Sequence, residues 1–148
     1  MHPRHCAVDG VHCQVATPGG HSRMVFLWVT ALAAAAIHVL IFAMESLWWD
    51  RPAIRRRFRQ SEAQADATRL LAFNQGFYNL FLAVGLAAGL GLIAAGHRDA
   101  GMLLVAWNAL CMVAAAVVLA ASARGMWRGA LMQGLPALLT LVSATLAR

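Results

Sequence analysis

Two ionisable side chains, His38 and Glu45, interrupt an otherwise apolar stretch of about 26 residues at 24–49. At about 1.5 Å per residue, a helix of this length exceeds the ~30 Å hydrocarbon core of a bilayer. A charged side chain there costs at least about 2.5 kcal/mol, so it normally faces a bundle interior or a wet cavity. The seven-residue spacing puts both side chains within about 20° of each other around a helix. Such a pair can bind a cation, relay a proton, or act as acid and base.

Amide side chains in other apolar segments lie at depths that match this acid. If neighbouring spans run antiparallel, several polar residues share a depth of roughly 6 Å inside one face of the bilayer. The members of this layer are Glu45, Asn74, Gln75 and Gln133. The sequence predicts a ligand or proton site that combines this layer with two deeper residues, His38 and Asn79.

Each of these residue types also has a purely structural explanation. Amide hydrogen bonds between membrane helices are common in packing and contribute about 0.6 kcal/mol on average. The carboxyl of Glu45 can instead reach the headgroups from the membrane edge, and His38 can be a satisfied imidazole inside the bundle. Both interpretations stay open at the level of the sequence.

Composition assigns the chain to the membrane proteins. Of its 148 residues, 61% are hydrophobic and only 12% are charged. Soluble domains carry about 25% charged residues. The net charge of +6 does not indicate nucleic-acid binding, because the basic residues form no patch with interleaved aromatic side chains. We therefore expect the lipid bilayer as a partner and no nucleic acid.

Four apolar segments predict an all-α fold, a four-helix transmembrane bundle with antiparallel up-down topology. No alternating strand pattern appears, and backbone groups in lipid must pair within helices. Residues 1–23 form a polar N-terminal extension, predicted to be disordered, and Met24 is an alternative start. The transmembrane domain covers 24–147, with spans at about 24–49, 70–95, 100–121 and 130–147.

Cysteine and histidine positions match no known metal or disulfide framework. Cys111 lies in an apolar segment, where a small packing residue is the simplest interpretation. The extension holds Cys6, Cys13, His2, His5, His12 and His21. Their spacing fits no zinc pattern, so we expect no metal site. We also expect no cofactor, because no cofactor-binding fingerprint occurs.

Arginines set the predicted orientation. Six arginines fall between Arg51 and Arg69, directly after the first span, whereas the next loop holds Arg98 alone. The positive-inside rule puts the first loop in the cytoplasm and both termini outside, which is the periplasm in a bacterial inner membrane. Segment 55–69 is predicted to be a short surface helix or an extension of the second span. Anionic-lipid binding by this cluster is a compatible alternative.

Small residues and a proline predict how the spans pack. Gly85 and Gly89 form a GxxxG pair, which serves either dimerisation or packing within one chain, and the second interpretation is favoured. Pro136 removes a backbone donor and frees the carbonyl of Met132 beside Gln133. A kink there would open the polar layer, as a ligand feature or simply as a bend.

Three motifs resemble a known family. They are His38, Glu45 and Trp48 in the first span, NQGFYNLFLA at 74–83, and QGLPALL at 133–139. In this order and spacing they resemble the small bacterial integral membrane proteins catalogued as domain of unknown function 1304, over roughly residues 24–147. The resemblance implies four inner-membrane helices and a polar site, but no activity. The third span departs most from the family, so the resemblance gives no role to Asn108.

These observations favour a multi-pass membrane protein that binds or transports a small solute or proton through the polar layer. Glu45 would carry the proton or cation, His38 would relay, and the amides would orient the ligand. A membrane-embedded enzyme acting on a lipophilic substrate is one alternative. An accessory membrane subunit without chemistry is another, because four spans leave little room for a gated pathway unless the protein forms a homo-oligomer.

Overall fold

Helices make up nearly all of the part of the chain that the structure describes, residues 20–147. In this computed structural model, α1 (Gly20–Phe42) continues into a π-helical turn (Ala43–Leu47). The other elements are α2 (Pro52–Arg57), α3 (Glu62–Ala94), α4 (Arg98–Ser122), a 3-10 turn (Arg124–Met126) and α5 (Trp127–Leu146). Residues 20–147 contain no strand, in agreement with the predicted all-α class. The predictions for Cys6, Cys13 and the histidines that precede residue 20 lie outside the described residues.

Four helices are long and apolar enough to cross a membrane, as predicted: α1 with its π turn, α3, α4 and α5. The helices begin earlier than the predicted spans, most clearly α1 and α3. α1 begins at Gly20, inside the segment assigned to the extension, and α3 begins at Glu62, before the apolar run. α3 begins early because of a capping box. Ser61 Oγ accepts a hydrogen bond from the Gln64 backbone N–H, and the Gln64 side chain accepts one from the Ser61 N–H.

The four long helices form a ring in which each packs against two neighbours. α1 contacts α3 and α5 along its length, and α4 contacts the same two helices. Leu27, Leu86 and Val105 are fully buried between them. Large apolar side chains such as Val29 and Leu131 are exposed on the outside, where a bilayer would surround them. The bundle therefore has a packed interior and a surface suited to lipid.

Close contact between α3 and α4 depends on glycine. A Cβ atom at Gly89 would lie 2.8 Å from Cγ2 of Val105 and 3.1 Å from the carbonyl oxygen of Gly101. A Cβ atom at Gly85 would overlap the side-chain amide of Asn108. The Gly85 and Gly89 pair therefore packs within the chain, as small residues do between membrane helices.

Arginine side chains connect helix termini at one end of the bundle, which we call the far end. Arg23 Nη1 donates to the carbonyl oxygen of Leu146 at 3.2 Å, and Arg98 Nη2 donates to that of Ala147 at 2.6 Å. The first turns of α1 and α4 thus lie beside the end of α5. The up-down order of the spans stays a prediction, and these contacts support it.

The connector between α1 and α3 folds against the first turns of α3. Nε1 of Trp49 donates to the carbonyl oxygen of Ala65 at 2.8 Å, and the Trp49 and Phe58 ring centroids are 5.2 Å apart. Arg55 and Glu62 form a salt bridge at 3.3 Å across the break between α2 and α3. Segment 55–69 therefore contains the end of a short helix and also an extension of the second span.

Candidate functional site

A cleft of about 380 Å³ opens at the other end of the bundle, where α1 and α4 end and α5 begins. Aliphatic side chains of α4 and three methionines form much of its wall. Arg57 and Phe58, from the connector, also line it. Its remaining polar residues come from all four long helices and are Glu45, Gln75, Asn79, Ser122 and Gln133.

Glu45 reaches the cleft from the π-helical turn that ends the first span. Trp48 N donates to the carbonyl oxygen of Ala43 at 2.9 Å, five residues back, which is the hydrogen bond of a π turn. Such turns are rare and occur frequently at functional sites. α3 approaches the turn closely, because a Cβ atom at Gly76 would overlap Oγ of Ser46 and lie 3.2 Å from Cβ of Glu45. Glycine at this position lets α3 contact the turn that carries the acid.

Asn79 holds the Glu45 carboxyl from the neighbouring helix. Asn79 Nδ2 donates to Glu45 Oε2 at 3.1 Å and to the carbonyl oxygen of Gln75 at 3.0 Å. The amide cannot be reversed, because Oδ1 would then face the backbone carbonyl oxygen. This orientation leaves Oδ1 of Asn79 free to accept a hydrogen bond. The contact joins two residues that the sequence assigned to one site, 34 positions apart.

Gln75 and Gln133 line the cleft without a side-chain hydrogen bond to the rest of residues 20–147. Gln133 is only 8% exposed, so its amide is accessible mainly through the cleft. The amide atoms of Gln133 are not fully enclosed, since the buried side-chain atom without a partner in residues 20–147 is His38 Nε2. Pro136 lies inside α5, three residues after Gln133, and has no N–H for the Met132 carbonyl. Whether α5 bends there stays a prediction.

The connector lies across the mouth of the cleft, which the sequence did not indicate. Arg57 Nη2 lies 3.4 Å from Sδ of Met132 in α5. Arg59 adopts a left-handed backbone with φ of 57°, and its guanidinium packs against Gly125, where a Cβ atom would lie 2.5 Å from Nη1. A non-glycine residue in this conformation costs about 1–2 kcal/mol. The arginines after α1 thus have contacts within the bundle, in addition to any part in orientation.

Two predicted site residues do not line the cleft. Asn74 is exposed on the outside of α3, since one residue along a helix rotates the side chain by about 100° from Gln75. His38 is fully buried, and its Nδ1 donates to the carbonyl oxygen of Ala34 at 2.9 Å. Its Nε2 has no partner within residues 20–147. Glu45 itself belongs to the π turn, whose rotation per residue is smaller than that of an α-helix, so the seven-residue spacing no longer has its α-helical meaning.

Glu45 also borders a second opening, a depression of about 380 Å³ on the outer surface between the π turn and α3. Leu47 and Phe73 form part of its apolar lining. Its other charged groups are Asp50 and Arg69, which pair with each other. Glu45 therefore borders both the cleft and this depression.

Four apolar helices around a polar cleft define a multi-pass helical membrane protein, embedded in lipid through its apolar outer surface. The chain belongs to the family described as protein of unknown function (DUF1304), whose sequence profile matches residues 32–145. This match confirms the family resemblance of the three motifs. No curated protein and no solved structure matches the chain.

Proposed function

We propose that the protein binds a small solute in the cleft and transports that solute, or a proton, across the membrane. The observation that carries this proposal is the convergence of Glu45, Gln75, Asn79 and Gln133 on one open cleft. Amides that serve only to pack helices hydrogen-bond across the interface. Here two of the three amides have no such partner among residues 20–147, and a bound ligand would supply it.

Ligand-induced stabilisation tests the proposal for solutes of any chemical class. A library of small solutes is screened for compounds that raise the unfolding temperature of the full-length protein in detergent. A ligand at about 100 times its Kd stabilises by about 2.7 kcal/mol. Compounds that bind in the cleft should lose most of this stabilisation in Glu45→Gln and in Gln75→Ala. The proposal is wrong if every stabilising compound acts equally on wild type and both variants.

Asn74→Ala is the matched control. Asn74 and Gln75 are adjacent amides of α3, but only Gln75 lines the cleft. Asn74→Ala should therefore keep wild-type affinity, whereas Gln75→Ala should weaken binding about tenfold, which is about 1.4 kcal/mol. Equal losses in the two variants would contradict the cleft as the binding site.

We further propose a bacterial inner-membrane location with both termini in the periplasm. The six arginines from Arg51 to Arg69 favour a cytoplasmic loop next to the cleft, so the cleft would open toward the cytoplasm. A reporter fused after Arg148 should be active only in its periplasmic form, and one inserted near Glu62 only in its cytoplasmic form. A cytoplasmic C-terminus would reverse both assignments.

The two alternative functions, a membrane-embedded enzyme and an accessory membrane subunit, receive less support. An acid and base pair for a membrane-embedded enzyme would need both Glu45 and His38 at the substrate, and His38 does not line the cleft. Within residues 20–147, no surface feature identifies a partner for an accessory role. The glycine pair of α3 is used within the chain, so it gives no argument for a homo-oligomer.

A further inference from the structure

We propose that the ligand of the cleft is an amphipathic organic cation, with an ammonium group attached to an apolar body. This inference rests on the proposed function and names the chemical class of its solute. Three features of the site carry it: the direction of its hydrogen bonds, the charge at Glu45, and the composition of the walls.

On the Glu45 side of the cleft, the hydrogen bonds already formed leave acceptors, whereas the amides of Gln75 and Gln133 can both donate and accept. Both Nδ2 hydrogens of Asn79 are used, so only its Oδ1 is free. The hydroxyl of Ser122 donates to the carbonyl oxygen of Val118 at 2.7 Å, so its oxygen can only accept. Glu45 has one oxygen without a donor in the described part of the chain. A ligand that donates several N–H groups complements these atoms.

An ionised Glu45 would have no salt-bridge partner among the described side chains. The salt bridges among the described side chains are Arg55 with Glu62 and Arg69 with Asp50, and neither involves Glu45. An ionised carboxylate inside a membrane domain is costly without a positive partner. Arg57 lines the same cleft, but its guanidinium Nη2 is directed to Sδ of Met132. A ligand ammonium would supply the missing charge.

The walls suit an apolar body of variable shape. Met44, Met126 and Met132 line the cleft from three segments. Methionine is flexible and polarisable, and methionine-rich surfaces accommodate apolar groups of different shapes. Val118 and Leu119 form the opposite, aliphatic wall on α4. A strongly hydrated inorganic cation would gain nothing from these surfaces, whereas an alkyl or aryl ammonium would bury its apolar part against them.

The surface depression gives such a ligand a second approach to the same carboxyl. Amphipathic molecules concentrate at the membrane interface, with the charge near the headgroups and the apolar part in lipid. The depression combines Leu47 and Phe73 with the mutually paired Asp50 and Arg69, so its charged side chains other than Glu45 add no net charge. Glu45 is the residue that borders both this depression and the cleft. An amphipathic cation can therefore reach Glu45 from the lipid side.

Three probes with one apolar body and different head groups test the charge requirement. Phenethylammonium, phenethyl alcohol and hydrocinnamate are each titrated by calorimetry into the full-length protein in phosphatidylcholine nanodiscs. Empty nanodiscs provide the blank for partitioning into lipid. We expect saturable binding of phenethylammonium that is at least about tenfold tighter than that of the alcohol, which is about 1.4 kcal/mol. We expect no saturable binding of hydrocinnamate.

Two variants that each remove one charge should change the affinity for phenethylammonium in opposite directions. Glu45→Gln keeps the shape of the side chain and an acceptor for Asn79, and it should weaken phenethylammonium binding about tenfold, a larger loss than that of the alcohol. Arg57→Gln removes the positive side chain from the cleft and should tighten phenethylammonium binding about twofold to tenfold. Unfolding temperatures close to that of wild type establish that both variants are folded.

Three results would overturn the cation assignment: hydrocinnamate binding that weakens in Arg57→Gln, phenethylammonium binding that Glu45→Gln leaves unchanged, or no saturable phenethylammonium binding at all. The library screen separates these results from failure of the proposed function. If other solutes still stabilise the protein through Glu45 and Gln75, the cleft binds a ligand of another class. If no solute does so, both proposals are wrong.

Discussion

The cleft half and the far half of the bundle use polar residues in different ways. In the far half, hydroxyl groups are satisfied within their own helices: Thr30 Oγ1 donates to the carbonyl oxygen of Phe26 at 3.0 Å, and Ser143 Oγ to that of Leu139 at 2.6 Å. In the cleft half, Gln133 has no partner within residues 20–147. The far half thus pairs these hydroxyls within its own helices, whereas the cleft half leaves the Gln133 amide open to the cleft.

The two halves also differ in how their helices approach each other. α3 and α4 meet through Gly89 and Gly101 with no room for a side chain, which gives a rigid contact near the far end. At the cleft, Gly76 lets α3 approach the π turn as closely as Gly89 lets α3 approach α4. Beside this contact, however, the cleft is open. Natural proteins depart from full packing and full polar satisfaction mainly at functional sites. The difference between the halves thus favours a scaffold in one and binding in the other.

The largest effect on stability is expected from Gly89→Val in the far half. The new side chain would overlap Val105 and the backbone of α4, and neither can move without separating the helices. We expect a loss of at least about 2 kcal/mol in the free energy of unfolding, measured by denaturant titration in detergent. Gly91→Val is the control, because a Cβ atom there meets nothing within 4 Å. A similar loss in both variants would show that helix propensity, not packing, is responsible.

A smaller loss of stability with a large loss of binding is expected from Gly76→Ala. The methyl group would overlap Oγ of Ser46 and displace the π turn that carries Glu45. We expect about 1 kcal/mol of destabilisation and at least about a tenfold loss of affinity for compounds found in the library screen.

The double variant Gly76→Ala with Ser46→Ala tests the cause, because it removes the overlapping oxygen. It should recover most of the affinity. If the double variant binds as poorly as the single one, displacement of the turn by Ser46 is not the reason for the loss.

The smallest effect is a gain of stability from Gln133→Leu in the cleft. Leucine fills similar space without leaving an amide unpaired, so the free energy of unfolding should rise by about 0.5 kcal/mol. The same change should abolish solute binding, as expected where function and stability oppose each other. Thermal unfolding together with the library screen measures both quantities. A loss of stability would mean that Gln133 has a structural role and that the two halves are more alike than proposed.

The sequence predicted the number of helices, the family and much of the polar lining of the cleft. Length and hydropathy suffice for the spans, because a helix that crosses a bilayer must be long and apolar whatever it packs against. The depth of each residue below the end of its span suffices to predict that Glu45, Gln75 and Gln133 lie in one layer, because the rise per residue of a helix is fixed. Asn79, predicted to lie deeper, also reaches the cleft through its bond to Glu45.

Only the tertiary structure decided which side of each helix faces the cleft. Asn74 and Gln75 are both exposed and have the same side-chain chemistry and nearly the same depth, and only the packing of α3 against α1 and α4 places Gln75 beside the cleft and Asn74 away from it. The π turn packs closely on Gly76, and the apolar pattern of the first span did not reveal this turn or that Glu45 lines the cleft while His38 does not. Arg57 reaches the cleft because the connector folds back over the bundle, and this path is set by long-range contacts such as that of Trp49 with Ala65. The apolar periodicity and the depth of a residue are properties of one helix. Which of its residues line the cleft, and which segment covers the cleft, depend on the neighbouring elements.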